Sequence, residues 1–202
     1  MTKMDVLEEK MLEKLNLFKL EKNWVQHVKI KKGESLSKDD VLKSIIWVEK
    51  GILHSELKIK EKFQIFTLIK SNEIIYPSSG EYEKNNWRIV ADIPSEIVLI
   101  NKEYFLNFAT VEPVYMEWLL DKANDNFHKA SNELTKYARG LEVKATIEQI
   151  LEIMEKEGIS KEELLSYFSK KKLASYTQVT RGTFYNSWKK LENNGFFRKA
   201  HY

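Results

Sequence analysis

The sequence predicts an α+β chain in three successive parts: an N-terminal antiparallel β-roll of jelly-roll type, one long helix, and a C-terminal helix-turn-helix of the winged kind. Three observations predict it. Between Trp24 and Asn101 apolar and polar residues alternate with a period of two. From Met116 to Leu141 apolar residues recur at alternating spacings of four and three. From Leu173 to Phe197 two short helical patterns are separated by only three residues.

Composition narrows the class. A chain of 202 residues, 43% apolar and 31% charged, is long enough for one large or two small domains with their own cores. The absence of cysteine excludes disulfides, thiolate zinc sites, cysteine-ligated iron–sulfur clusters and a cysteine nucleophile. No apolar run approaches the ~18 residues of a membrane span, and Met1 to Leu20 lacks the apolar core of a signal peptide, so a cytoplasmic protein with no membrane partner is expected. The net charge of +3 is unevenly spread. Ser169 to Tyr202 holds eight Lys or Arg against one Glu, a local charge of +7, while the remainder is −4.

In the first part, Leu7, Met11 and Leu15 at helical spacing predict an amphipathic helix over residues 4–20 that covers the end of a sheet. The stretches "VKIKKGESL", "SIIWVEKGILHSELKIKEKFQIFTLI" and "WRIVADIPSEIVLI" then read as short strands, broken at Gly33, Gly51 and Pro77 to Gly80. Leu53, Leu57 and Ile59 fall on one strand face and His54, Glu56, Lys58 and Lys60 on the other, the pattern of a strand with one wet side.

The second part is a heptad seam. Met116, Leu120, Ala123, Phe127, Ala130, Leu134, Tyr137 and Leu141 line one stripe of a helix, with Asp121, Lys122, Asp125, Lys129, Glu133 and Lys136 between them. One reading is a single helix lying along the roll. A seam sustained this far instead points to pairing with its own copy in a homodimer. Gly140 interrupts the helix, making Arg139 to Leu141 the expected hinge, and "LEVKATIEQILEIMEKEG" begins another helix stopped at Gly158.

In the third part, Ser169 is placed to cap a helix over about 170–176 and Thr180 a second over about 181–193, with Gly195 just past its end. At 100° per residue Phe184, Trp188 and Leu191 share the buried face of the second helix. Gly182, Asn186 and Lys189 point away from it, flanked by Tyr185 and Lys190, and no carboxylate lies on that outer face. Arg181 and Thr183 sit in the first turn, where side chains and free backbone N–H groups reach a phosphate or base edge. Arg181 suits guanine O6 and N7, and Asn186 suits adenine. Thr180, Thr183, Tyr185, Lys189 and Lys190 suit phosphate, setting register without reading sequence. A helix-turn-helix that only binds protein is the competing reading.

The motif "KKLASYTQVTRGTFYNSWKKLENNGFF" resembles the C-terminal motif of the Crp/Fnr transcription regulators, matching at Leu173, Ala174, Thr180, Arg181, Thr183, Leu191, Glu192 and Gly195. Upstream, "KIKKGESLSKDDVLKSIIWVEKGILHSELKI" is similar to that family's β-roll, and the heptad helix stands where its dimer helix stands. The resemblance implies a homodimeric, sequence-specific DNA-binding regulator that contacts or excludes RNA polymerase. It also implies that Arg181 reads a base. Gly182 stands where a base-reading glutamate is common and Asn186 replaces a frequent arginine, so the family's half-site does not carry over. Gln178 fills a turn position usually held by glycine, and only seven residues follow Gly195, which leaves "FFRKAHY" as a single strand rather than a full wing.

The effector signature of cyclic-nucleotide-binding members is missing: Gly80, Glu81 and Arg88 occur without its arrangement, so cyclic nucleotide is not expected to bind, although an unknown small-molecule effector stays open. No cofactor, metal site or catalytic residue is expected. His27, His54, His128 and His201 are scattered, and a cupin-like metalloenzyme would need a second histidine pair that no strand supplies. The expected domains are residues 1–109, the roll with its N-terminal helix; 110–140, the dimerisation helix and hinge; and 141–202, the DNA-binding helix-turn-helix.

Overall fold

The computed structural model describes residues 6–59, 61–77, 86–138, 143–177 and 179–197. Helices run α1 Val6–Phe18, α2 Lys38–Lys43, α3 Lys102–Val111, α4 Pro113–Ala138, α5 Val143–Lys156, α6 Leu164–Tyr167, α7 Lys170–Thr177 and α8 Arg181–Asn193. Strands run β1 Val25–Ile30, β2 Ser44–Lys50, β3 Ile52–Ile59, β4 Lys62–Lys70, β5 Ile74–Ile75, β6 Trp87–Ala91 and β7 Ser95–Asn101. The chain divides into two compact units, Met1–Ser131 and Asn132–Tyr202. The hinge expected at Arg139 to Leu141 lies outside the described residues.

The first unit holds two antiparallel sheets, ordered β1-β7-β2-β5 and β4-β3-β6. Strands β2 and β7 carry continuous apolar runs, "SIIWV" and "IVLI", because both of their faces are covered. Ile46, Val48, Ile97 and Leu99 face a cluster shared with Leu53, Ile69, Ile89 and Ala91 of the other sheet. Ile45, Trp47, Val98 and Ile100 turn the opposite way, onto Met11, Leu12 and Leu15 of α1, Phe105 and Ala109 of α3, and Trp118 and Leu119 of α4. The N-terminal helix therefore covers the sheet as its spacing implies.

Between β2 and β3 the chain turns at Gly51, whose φ of +118° is a conformation L side chains rarely adopt. A Cβ there would come within 2.8 Å of Ser95 Cα and closer still to the Ser95 side chain. That side chain is itself fixed, its hydroxyl donating to the Ile93 carbonyl at 2.8 Å. Gly51→Ala is expected to destabilise the chain by about 2 to 4 kcal/mol, from backbone strain together with overpacking. Denaturant unfolding measures it, and an unchanged midpoint would refute the assignment.

Two features depart from the pattern read in the sequence. The segment 102–111 is a separate helix, α3, capped by Asn101, whose side chain accepts from the Tyr104 N–H at 2.9 Å; the long helix accordingly starts at Pro113 and not at 110. The second departure is the supposed wet face of β3. His54 is 1% exposed. Its Nδ1 lies 2.9 Å from an oxygen of Asp92, itself fully buried, and its Nε2 lies 3.1 Å from an oxygen of Glu56. Glu56 is also paired with Arg88, whose guanidinium lies 3.9 Å from the Phe63 ring centroid. Burial pushes the Glu56 carboxyl up, but the bonds from His54 and Arg88 outweigh it and hold the group below the ordinary carboxylate range. A polar residue on an apparently wet face is thus buried because it brings its own counter-charges. Among the described residues no group of three or more His, Asp or Glu side chains is arranged to hold a metal ion, and no helix is long and apolar enough to cross a membrane.

Helix α4 meets the roll with one stripe and leaves the heptad seam on another. Tyr115, Trp118 and Leu119 are buried. Further along the same stripe Lys122 pairs with the buried Glu8 at 2.7 Å, Asn126 donates to the Ile74 carbonyl at 2.6 Å, and Lys129 pairs with Glu73 at 2.7 Å. Met116 is partly buried, whereas Ala123 is exposed, Leu120 is 62% exposed and Phe127 is 67% exposed. The helix thus lies along the roll, but through the stripe next to the seam. The side chains of Ala130, Leu134 and Tyr137 lie outside the described residues, on a segment that is helical in backbone.

Candidate nucleic-acid interface

In the second unit α5 supplies the apolar floor, burying Val143, Ile147, Ile150, Ile153 and Met154. Helix α7 adds Leu173, Ala174 and Tyr176, and α8 adds Phe184, Trp188 and Leu191. The spacing of four and three on α8 makes this one continuous stripe, so the rest of its surface faces outward by geometry.

Both helices begin as their capping residues dictate. Ser169 accepts from the Lys172 N–H at 3.2 Å. Thr180, in extended conformation, accepts from the Thr183 N–H at 3.2 Å, and its hydroxyl lies 2.9 Å from that of Thr183. The backbone N–H groups of Arg181 and Gly182 open the first turn of α8, at the positive end of the helix dipole. Gly182 is open to solvent too: a Cβ there would meet only the Thr180 hydroxyl, at 3.9 Å. Past the end of α8 the Gly195 N–H donates to Glu192 O at 3.1 Å and the Phe196 N–H to Leu191 O at 3.0 Å, a cap that depends on the left-handed Gly195, φ +72°.

The structure brings Thr180, Arg181, Gly182, Thr183, Tyr185, Asn186, Lys189 and Lys190 to one exposed region, the first turn and outer face of α8. Tyr185 is 46% exposed and edge-on to Phe184, with ring centroids 5.6 Å apart, so its ring stands at the border of core and surface. No carboxylate interrupts this region. Gln178, in the turn before α8, lies outside the described residues, as do residues 198–202. Of the tail, Phe196 and Phe197 are described: they form a turn, and Phe197 stacks on Trp188 with centroids 4.5 Å apart.

Sequence reasoning missed one constellation. Glu192 Oε1 accepts from the Trp188 indole at 2.6 Å and from Lys170 Nζ at 2.9 Å, and Lys170 lies 4.9 Å from the Trp188 ring centroid. Lys170, then Trp188, hold the Glu192 carboxyl below the ordinary carboxylate range. The spacing from Trp188 to Glu192 is a visible i, i+4 signal. Lys170 is 22 residues away and is brought in only by the hairpin.

Comparison with known proteins fixes the fold. No protein-family model matches the chain, and no curated protein sequence matches it. Solved structures do. A cyclic nucleotide-binding domain containing protein from Listeria monocytogenes is 19% identical, with 93% of this chain and 91% of that one covered and a TM-score of 0.68. FixK2 from Bradyrhizobium japonicum is 15% identical over 85% of this chain and 86% of that one, TM-score 0.65. A third, a putative transcriptional regulator of the crp/fnr family from Eubacterium rectale, is 11% identical over 95% and 85%, TM-score 0.62. The chain has the fold of these proteins, the one its C-terminal motif and upstream order imply.

Proposed function

We propose that the chain is a Crp/Fnr-type transcription regulator that binds a pseudo-palindromic DNA site as a homodimer, with α8 as the recognition helix. The observation that carries this reading is the outer face of α8: eight exposed residues rich in hydrogen-bond donors, free of carboxylates, beginning at a capped helix N-terminus and backed by an apolar stripe. Arg181 and Asn186 read bases, while Thr180, Thr183, Tyr185, Lys189 and Lys190 hold phosphate. Two copies present their recognition helices to successive major grooves about 34 Å apart. RNA polymerase is the partner that such a regulator would contact or exclude, in the cytoplasm. No catalytic step is assigned to it. Cyclic nucleotide is not its effector: Arg88 is engaged by Glu56 and Phe63, while Gly80 and Glu81 lie outside the described residues. Genome-wide recovery of bound DNA tests the function, and absence of any shared inverted repeat would sink it.

The homodimer rests on the seam of α4. Leu120 and Phe127 stand more than half exposed on a stripe of which the roll takes only Met116 among the described side chains, and apolar residues at heptad positions are buried by a second helix. Leu120→Glu with Phe127→Glu is expected to yield monomers at micromolar concentration with the roll still folded. Sedimentation measures the mass, and a dimer that survived both changes would place the interface elsewhere.

A further inference from the structure

We propose that Glu192 is a positioning residue of the DNA-reading surface, its Oε1 bracing the open end of the α7–α8 hairpin so that α8 presents Arg181 and Asn186 at a fixed angle. This rests on the reading of α8 as the recognition helix. The two helices are joined at one end by the short connection 178–180. Lys170 begins α7 and Glu192 is the last residue but one of α8, so the contact between them lies at the opposite end, where it adds a polar tie to the apolar core that both helices share. The same oxygen takes the Trp188 indole N–H at 2.6 Å and the Lys170 ammonium at 2.9 Å. Trp188 is buried, so this bond ties the brace to the core stripe of α8, while Lys170 ties it to α7.

The charge of Glu192 has an opposite effect on DNA affinity in itself. It is the only carboxylate between Ser169 and Tyr202, a stretch of net charge +7. Removing it raises the net positive charge of this stretch, which by the phosphate term alone tightens binding to every duplex. Bracing predicts the reverse for the specific site, because base contacts depend on angle whereas phosphate attraction does not. The Lys170–Glu192 pair is itself well exposed, with side-chain accessibilities of 36% and 45%, and an ion pair of that kind adds little to stability. The effect should therefore show in specificity and not in folding.

The test uses the full chain, wild type, E192Q, K170Q and K170R, binding a duplex that carries the recovered inverted repeat and a scrambled duplex of equal length. Glutamine at 192 keeps an acceptor for Trp188 and loses the charge; glutamine at 170 removes the cation that links Glu192 to α7, together with its contact over the Trp188 ring. E192Q is expected to bind the specific duplex about tenfold more weakly and the scrambled duplex as well as or better than wild type. K170Q should also lower the ratio of specific to scrambled affinity, and K170R, which keeps a cation that can donate to Glu192, should retain much of it. A ratio unchanged in both E192Q and K170Q, or a gain in specific affinity in E192Q, overturns the proposal. Wild type that prefers no duplex overturns the DNA-reading function itself, which is a separate result, and the proposal falls with it.

Discussion

Arg181→Ala is expected to weaken preference for the inverted repeat sharply while leaving the chain folded. The side chain is exposed in the first turn of α8 and has no role in the core, so its removal costs stability little. A bidentate arginine contact to guanine is worth ~1 to 3 kcal/mol, and a dimer makes it twice, so specific affinity should fall by ~2 to 6 kcal/mol. The loss should be confined to one base position per half-site, where the preference for guanine relaxes. Lys189→Ala provides the contrast. A phosphate contact carries no sequence information, so affinity should drop evenly over all duplexes and the salt dependence should become shallower by about one unit per half-site. Titrations of both variants at several salt concentrations separate the two roles. If Arg181→Ala bound the repeat as wild type does, α8 would not be the reading element, and a helix-turn-helix devoted to protein contact would be the better account.

Much of this was legible in the sequence because periodicity and capping chemistry act locally. The caps at Ser169 and Thr180, the Phe184/Trp188/Leu191 stripe and the left-handed Gly195 follow from residue type and spacing alone. So do β2 and β7, whose unbroken apolar runs reflect strands covered on both sides. What escaped was either short or long-range. Helix α2 has six residues, too few for a period, although Ser37, which accepts from the Asp40 N–H, marks its start. Helix α3 follows β7 directly, with only Asn101, Lys102 and Glu103 between the two apolar runs, and its cap, Asn101, is also the last residue of that strand. The seam of α4 was visible, but which stripe met the roll was not: Lys122, Asn126 and Lys129 look solvated until their partners Glu8, Ile74 and Glu73, 52 to 114 residues away, are placed. His54 escaped for the same reason, since alternation reports polarity and says nothing of a carboxylate 38 residues downstream.

That buried carboxylate carries the largest stability effect expected in the roll. Each nitrogen of the His54 ring lies against a carboxylate oxygen, that of Asp92 at 2.9 Å and that of Glu56 at 3.1 Å. Asp92→Ala removes the fully buried partner of His54 Nδ1 and strands a polar atom with no access to water, so it should cost ~3 to 5 kcal/mol. His54→Ala should cost a similar amount by leaving both carboxyl groups without the ring they share. The double variant should cost much less than the sum of the two, because removing both partners leaves neither unpaired. The acid limb follows from Glu56. Its carboxyl is held below the ordinary value near 4.5, so its contribution is fully present above that value and is lost as pH falls through the lower value of the folded state. Glu56→Gln should accordingly flatten the acid limb of the unfolding profile. Denaturant unfolding of the three single variants and the double across pH would measure each term. Additive costs for His54→Ala and Asp92→Ala would mean that the two groups do not act as a pair.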